Sequence, residues 1–124
     1  MRSVLLVAAV GALVGCGPAV GLDCSPEGGG ACEDNANALL CTGGKFVRWS
    51  CPGELGCAAN NKGIVCDVRG SSEGGACGFK GSGFCSSSRR FVECITPTNS
   101  TSLYWTGRDC ATSCEQTGLT AICR

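Results

Sequence analysis

The sequence predicts a small, disulfide-rich, mostly β protein: two tandem three-stranded antiparallel modules, with little or no helix after an N-terminal signal peptide. Three observations lead there. Twelve of the thirteen cysteines fall into two sets of six, Cys24 to Cys66 and Cys77 to Cys123. Gly and Ser collect between the sets, and no stretch after Cys16 carries a helical apolar period.

The chain begins with Met1-Arg2-Ser3 and an uncharged apolar run from Val4 to Val14, ending in Leu13-Val14-Gly15-Cys16. A run of that length forms a signal-peptide core and is too short to cross about 30 Å of hydrocarbon as a helix. The expected organisation is a signal peptide over 1–15 and a short tether over 16–23 that opens with Cys16. Module one follows over 24–67, a linker over 68–76, and module two over 77–124.

Once 1–15 is removed, twelve cysteines beyond Cys16 lie in 109 residues, a density typical of a disulfide scaffold in an exported chain. Such short modules bury little apolar surface, so covalent staples must supplement the core. With Arg2 gone, nine basic residues face ten acidic ones, and no basic face for nucleic acid is visible. Histidine is absent, which removes Ser-His and Cys-His nucleophile pairs. The C-x2-C spacing of zinc sites never occurs. No metal and no cofactor is expected.

In module one, Ala38 to Cys41 reads as a strand, Thr42-Gly43-Gly44-Lys45 as a tight turn and Phe46 to Cys51 as the return strand. Ala58 to Asn61 reads as a loop, and Ile64 to Cys66 as the third strand. In module two the strands are Phe91 to Cys94, Leu103 to Thr106 and Thr120 to Cys123, with a long loop through Pro97 to Ser102. Arg69 to Gly75 reads as a flexible linker by composition. Two alignments relate the modules. Six cysteines for six gives C-x7-C-x8-C-x9-C-x5-C-x8-C against C-x7-C-x8-C-x15-C-x3-C-x8-C. The residues between cysteines favour another. It matches Lys45-Phe46-Val47 to Arg90-Phe91-Val92 and Trp49-Ser50 to Trp105-Thr106, leaving Cys24 and Cys94 as singletons. Six cysteines allow 15 pairings, and spacing alone does not choose.

Leu-Val-Gly-Cys behind an h-region resembles the lipobox of bacterial lipoproteins. That resemblance implies acylation of Cys16, cleavage before it and a membrane anchored through the lipid. Gly17 at the next position implies the outer membrane or cell surface. Leu40-Cys41, Gly44-Lys45, Cys51-Pro52-Gly53-Glu54-Leu55-Gly56-Cys57 and Cys66-Asp67 are similar to the modules of myxobacterial-type cysteine-rich lipoproteins. Cys41 to Lys45 and Cys51-Pro52-Gly53 also resemble part of the peritrophin-type chitin-binding module, although Cys57 has no counterpart there. Carried over, that family's pairing implies Cys24–Cys41 and Cys51–Cys66, leaving Cys32–Cys57. Through the second alignment it implies Cys110–Cys123 and Cys77–Cys114, with Cys85–Cys94.

Candidate ligand contacts are Phe46, Trp49, Tyr104 and Trp105, aromatics that either stack on a glycan or protein partner or simply form the core. Arg89, Arg90 and Lys80 form a candidate basic cluster. Glu27, Glu33 and Asp34 are acidic but lack calcium-loop spacing. Asn99-Ser100-Thr101 is a glycosylation sequon. The expected function is a non-enzymatic, lipid-anchored binding or adhesion protein of the envelope. The alternatives are a protease inhibitor, presenting Glu54-Leu55-Gly56 or the loop Ile95 to Ser102, and a structural lipoprotein without a specific ligand.

Overall fold

The computed structural model describes residues 17–124. Cys16 and the 1–15 signal segment lie outside the described residues. Ten strands and no helix make up the described chain: β1 (Gly30–Cys32), β2 (Asn37–Thr42), β3 (Lys45–Ser50), β4 (Cys57–Asn60), β5 (Gly63–Cys66), β6 (Gly83–Ser87), β7 (Arg90–Ile95), β8 (Tyr104–Asp109), β9 (Cys114–Thr117) and β10 (Thr120–Cys123). They form four antiparallel sheets, β1-β2-β3, β4-β5, β6-β7-β8 and β9-β10. Each module is thus a three-stranded sheet plus a two-stranded hairpin.

The third strand of each sheet is not the expected one. Ile64 to Cys66 pairs with Cys57–Asn60, so Ala58 to Asn61 is largely strand rather than loop. The sheet is completed instead by Gly30–Cys32 against Ala38–Leu40. In module two, likewise, Thr120–Cys123 pairs with Cys114–Thr117, and Gly83–Ser87 completes the sheet. The β2–β3 hairpin closes as its sequence predicts: Gly43 and Gly44 both take positive φ, a two-residue turn that follows the twist of the flanking strands.

Among the described residues, six disulfides close within the modules and none crosses between them. Module one carries Cys24–Cys41, Cys32–Cys57 and Cys51–Cys66. Module two carries Cys77–Cys94, Cys85–Cys114 and Cys110–Cys123. The expected Cys77–Cys114 and Cys85–Cys94 are therefore corrected. In each set the first cysteine joins the third, the second the fifth and the fourth the sixth, so the six-for-six alignment is the structural one. Cys94 is no singleton: it is the last residue but one of β7, as Cys41 is of β2, and is bridged to the cysteine that opens its module. The Phe-Val landmark misleads because Phe46 lies on β3 and Phe91 on β7.

The repeat extends to the backbone. Gly21 donates to the Phe46 carbonyl, while Phe46 donates to Leu22; Gly74 and Trp105, then Trp105 and Gly75, do the same in module two. Gly21 and Gly74 both have positive φ, the signature of a bulge in which two strap residues face one strand residue. Residues 17–23 and 70–76 are thus matching straps along β3 and β8. The segment expected to be a flexible linker is held along module two, and Val68 before it is buried in that module's core.

That core consists of Phe84, Val92, Cys94, Trp105, Cys77 and Val68. Phe84 and Trp105 meet edge to face with centroids 5.5 Å apart. The equivalent face of module one holds Ala31, Leu39, Cys41 and Phe46. Its opposite face carries a second cluster, Ala38, Cys51 and Cys57, against which Ile64 and Phe79 pack. Phe79 belongs to module two, so the modules dock.

Candidate functional site

The docking is built from β3 and the turn after Cys77. Trp49 stands on β3 opposite the fully buried Ala38. Its indole lies so close to Gly78 that a Cβ there would overlap Trp49 Nε1. The residue after Gly78 is Phe79, which enters the cluster beside Trp49. Trp49 Nε1 is buried with no hydrogen-bond partner among the described residues.

Two recesses open at this junction, and Trp49 lines both. One, of about 330 Å³, is lined by Trp49, Pro52, Val68, Phe79 and Trp105 among others. The second, of about 400 Å³, is lined by Trp49, Tyr104, Leu103, Thr42, Thr101 and Ser102 among others. Of the four candidate aromatics, three therefore come together: Trp49, Tyr104 and the edge of Trp105. Trp105 is 7% exposed and packed on Phe84, which is the core alternative of the reading, and it also lines the first recess. Tyr104 is 37% exposed. Phe46 stands apart, paired with Cys41 and half-buried, and lines neither recess.

A carboxylate fixes the hinge between the modules. Asp67 follows the last cysteine of module one and is fully buried. It accepts from Leu55 N at 3.0 Å, from Arg69 N at 3.2 Å and from Arg69 Nε at 2.8 Å, and also pairs with Arg69 Nη2. The Arg69 guanidinium above all, then the Leu55 and Arg69 amides, hold its carboxyl down at about 2 against the opposing effect of burial. Gly53 leaves the space Asp67 occupies, because a Cβ there would overlap the carboxylate. Gly53 N donates to the Asp67 carbonyl at 3.0 Å and Asp67 N to the Gly56 carbonyl at 2.8 Å, which closes the loop between Cys51 and Cys57.

The charged candidates are engaged separately. Arg90 bridges Glu73 and Asp109, and Arg89 donates to the Cys110 and Ala111 carbonyls, so the two arginines do not form a free basic patch with Lys80. Hydrogen bonding to Arg48 lowers the Glu33 carboxyl, and the Ala36 amide lowers that of Asp34. Glu27 accepts from Gly43 N. The three acids thus have three different partners. Asn99 sits with positive φ in the β7–β8 loop.

Spacing gave no warning of Gly78, Phe79, Gly53 or the Asp67–Arg69 pair. The available signal was the six-for-six alignment, which sets Gly78-Phe79 against Ser25-Pro26 and so marks a place where the modules differ. Among the described residues, no helix is long and apolar enough to cross a membrane. Six bridges belong to an oxidising extracellular or envelope compartment. No protein-family model matches the chain, and no curated protein or solved structure compared with it does either.

Proposed function

We propose that this is a lipid-anchored cell-envelope protein, held at the outer membrane or cell surface by acyl chains on Cys16. Its two docked modules act as one non-enzymatic binding or adhesion element. The observation that carries the binding reading is the recess where Trp49 and Tyr104 converge. It is an apolar floor between two rigid modules, with the hydroxyls of Thr42, Thr101 and Ser102 at its rim. A ring face matches that surface, whether of a sugar or of an aromatic or proline side chain on a protein, because aromatic walls bind it while a few polar groups orient it. Leu13-Val14-Gly15-Cys16 supports the anchor. The non-enzymatic reading is supported by the absence of histidine from the sequence, which removes Ser-His and Cys-His nucleophile pairs.

Less supports a protease inhibitor. Leu55 is 57% exposed in a loop flanked by bridged cysteines. However, its N–H is held by Asp67, and Gly56 N donates back to the Gly53 carbonyl, so the loop is a closed turn rather than an extended segment. The loop after Ile95 turns too, with Ser100 N on the Pro97 carbonyl. A glycan array beside a pull-down from envelope extracts tests the proposal, using the wild type, Trp49→Ala and Tyr104→Ala. A partner captured by the wild type and lost by both variants supports the recess. A partner captured equally by all three overturns it, and no partner in either format leaves the structural-lipoprotein alternative standing.

A further inference from the structure

The two straps have the same backbone and opposite chemistry. Gly17-Pro18-Ala19-Val20-Gly21-Leu22 corresponds, residue for residue, to Gly70-Ser71-Ser72-Glu73-Gly74-Gly75. Both make the same bonds to the neighbouring strand, and in each the sixth residue's N–H returns to the third residue's carbonyl, Leu22 to Ala19 and Gly75 to Ser72. In module one, Val20 is 48% and Leu22 50% exposed. In module two, the counterpart of Val20 is Glu73, whose carboxylate lies over Gly107 and is taken by Arg90. The counterpart of Leu22 is Gly75. The fold therefore does not require apolar side chains at these positions. Val47, another exposed apolar residue, follows Phe46 on β3 beside the strap, where module two has Thr106.

We infer that the 17–22 strap is a membrane-seating surface, with Val20 and Leu22 inserting at the headgroup boundary of the bilayer that holds Cys16. This inference rests on the lipid-anchor reading. Three residues separate Cys16 from Val20, so the four Cα–Cα steps between them reach at most about 14 Å. A headgroup boundary accommodates apolar groups over about 5–10 Å, so so short a tether keeps the strap against it. The apolar strap is the one next to Cys16, and the polar strap is the one more than fifty residues further along. The seating side chains also sit on a braced edge: backbone bonds to Phe46 and the Asp23–Lys45 pair hold the strap, so little order is lost when it meets lipid.

The test uses the acylated protein in phosphatidylcholine vesicles containing a small fraction of a phospholipid with a diazirine near its glycerol. After illumination, label is mapped by mass spectrometry. Residues 17–22 should carry roughly fivefold more label than 70–75, and V20E/L22G should abolish the excess. That variant should still fold, because module two builds the same strap with Glu73 and Gly75. Equal labelling of the two straps, or an excess unchanged in V20E/L22G, overturns the inference. So does low labelling accompanied by a dimer that V20E/L22G dissociates, which would assign the strap to a second copy. If mass analysis finds Cys16 unacylated, the anchor reading fails on its own. Coupling the Cys16 thiol to a maleimide-headed phospholipid then lets the same labelling ratio decide the strap.

Discussion

The two modules share every bridge, both sheet types and a strap, yet they fill those frames with different side chains. Module two centres on one face, where Phe84, Val92 and Trp105 pack with Val68. At the equivalent positions module one has Ala31, Leu39 and Phe46. Module one builds its second cluster on the opposite face, from Ala38, Cys51 and Cys57 with Trp49 beside them, and module two docks there. The matching face of module two places Phe91 where module one has Ala38, and Arg108 where it has Trp49. The Arg108 guanidinium lies 5.1 Å from the Phe91 ring centroid. One module's face is covered by its neighbour, and the other's is covered by its own Arg108. Disulfides and backbone set the frame, which frees the side chains to differ.

The largest expected break in this comparison is Phe84→Ala. Truncating a buried phenyl ring costs about 3–5 kcal/mol, and Ala is close to what module one already has at that place. Module two should lose hydrogen-exchange protection across β6–β8 while β2 and β3 keep theirs. Loss of protection in both modules at once would mean that the docked pair is a single cooperative unit.

Asp67 separates the modules by pH. The residue after module two's last cysteine is Arg124, which makes the same backbone bonds to Thr112 and Ser113 but carries no buried acid. Because the folded carboxyl of Asp67 lies at about 2, below its unfolded value, its contribution is present above about pH 4 and is lost as pH falls toward 2. That contribution is about 2 kcal/mol. Guanidinium unfolding followed through Trp49 in a Trp105→Phe background should show it between pH 5 and pH 2, and Asp67→Asn should flatten the difference. An unchanged profile in Asp67→Asn would assign the acid sensitivity to other carboxylates.

Gly78→Ser writes module one's residue into module two. Ser25 is exposed, whereas a Cβ at 78 meets the Trp49 indole. Overpacking of this kind costs about 1–3 kcal/mol and falls on the junction alone. Trypsin cleavage at Arg69 should accelerate about tenfold while both modules keep their exchange protection. If cleavage is unchanged, the Asp67–Arg69 pair rather than the Trp49 contact holds the hinge.

Much of this frame is legible in the sequence, for physical reasons that also set its limit. The β2–β3 hairpin can be read because Leu39-Leu40 and Phe46-Val47 are strand formers around paired glycines. β1, β4 and β9 cannot, because Gly30-Ala31, Ala58-Ala59 and Glu115-Gln116 have weak strand preference and are held as strands by Cys32, Cys57 and Cys114. Pairing within module two is obscured in the sequence because Lys45-Phe46-Val47 and Arg90-Phe91-Val92 look alike. Val92 is fully buried at the module centre, while Val47 is exposed. The junction shows in the sequence only as a place where the modules differ, Gly78-Phe79 against Ser25-Pro26; it depends on Gly78 lacking a side chain, and neither composition nor spacing records a contact made by an absent Cβ.

The smallest effect expected is at the capped end. Arg108→Ala removes the cation over Phe91, a contact worth about 0.5–1 kcal/mol at an exposed site. It also strips the aliphatic stem that covers the ring, since long basic side chains shield apolar surface along their length. Arg108→Met separates the two effects, because it keeps most of the stem and loses the charge. If the cap acts through charge, Met and Ala should destabilise module two equally in guanidinium unfolding read through Trp105. If it acts through coverage, Met should restore most of the loss. Arg108→Trp would then be the informative extension. It installs the residue that module one uses for docking, but beside Phe91, where module one has only Ala38. Phe91 stands at the position equivalent to Ala38, against whose cluster Phe79 packs, so Arg108→Trp alone should leave the sedimentation behaviour of the wild type unchanged. A dimer in that variant would show that the tryptophan suffices to make a docking face and that Phe91 does not close it.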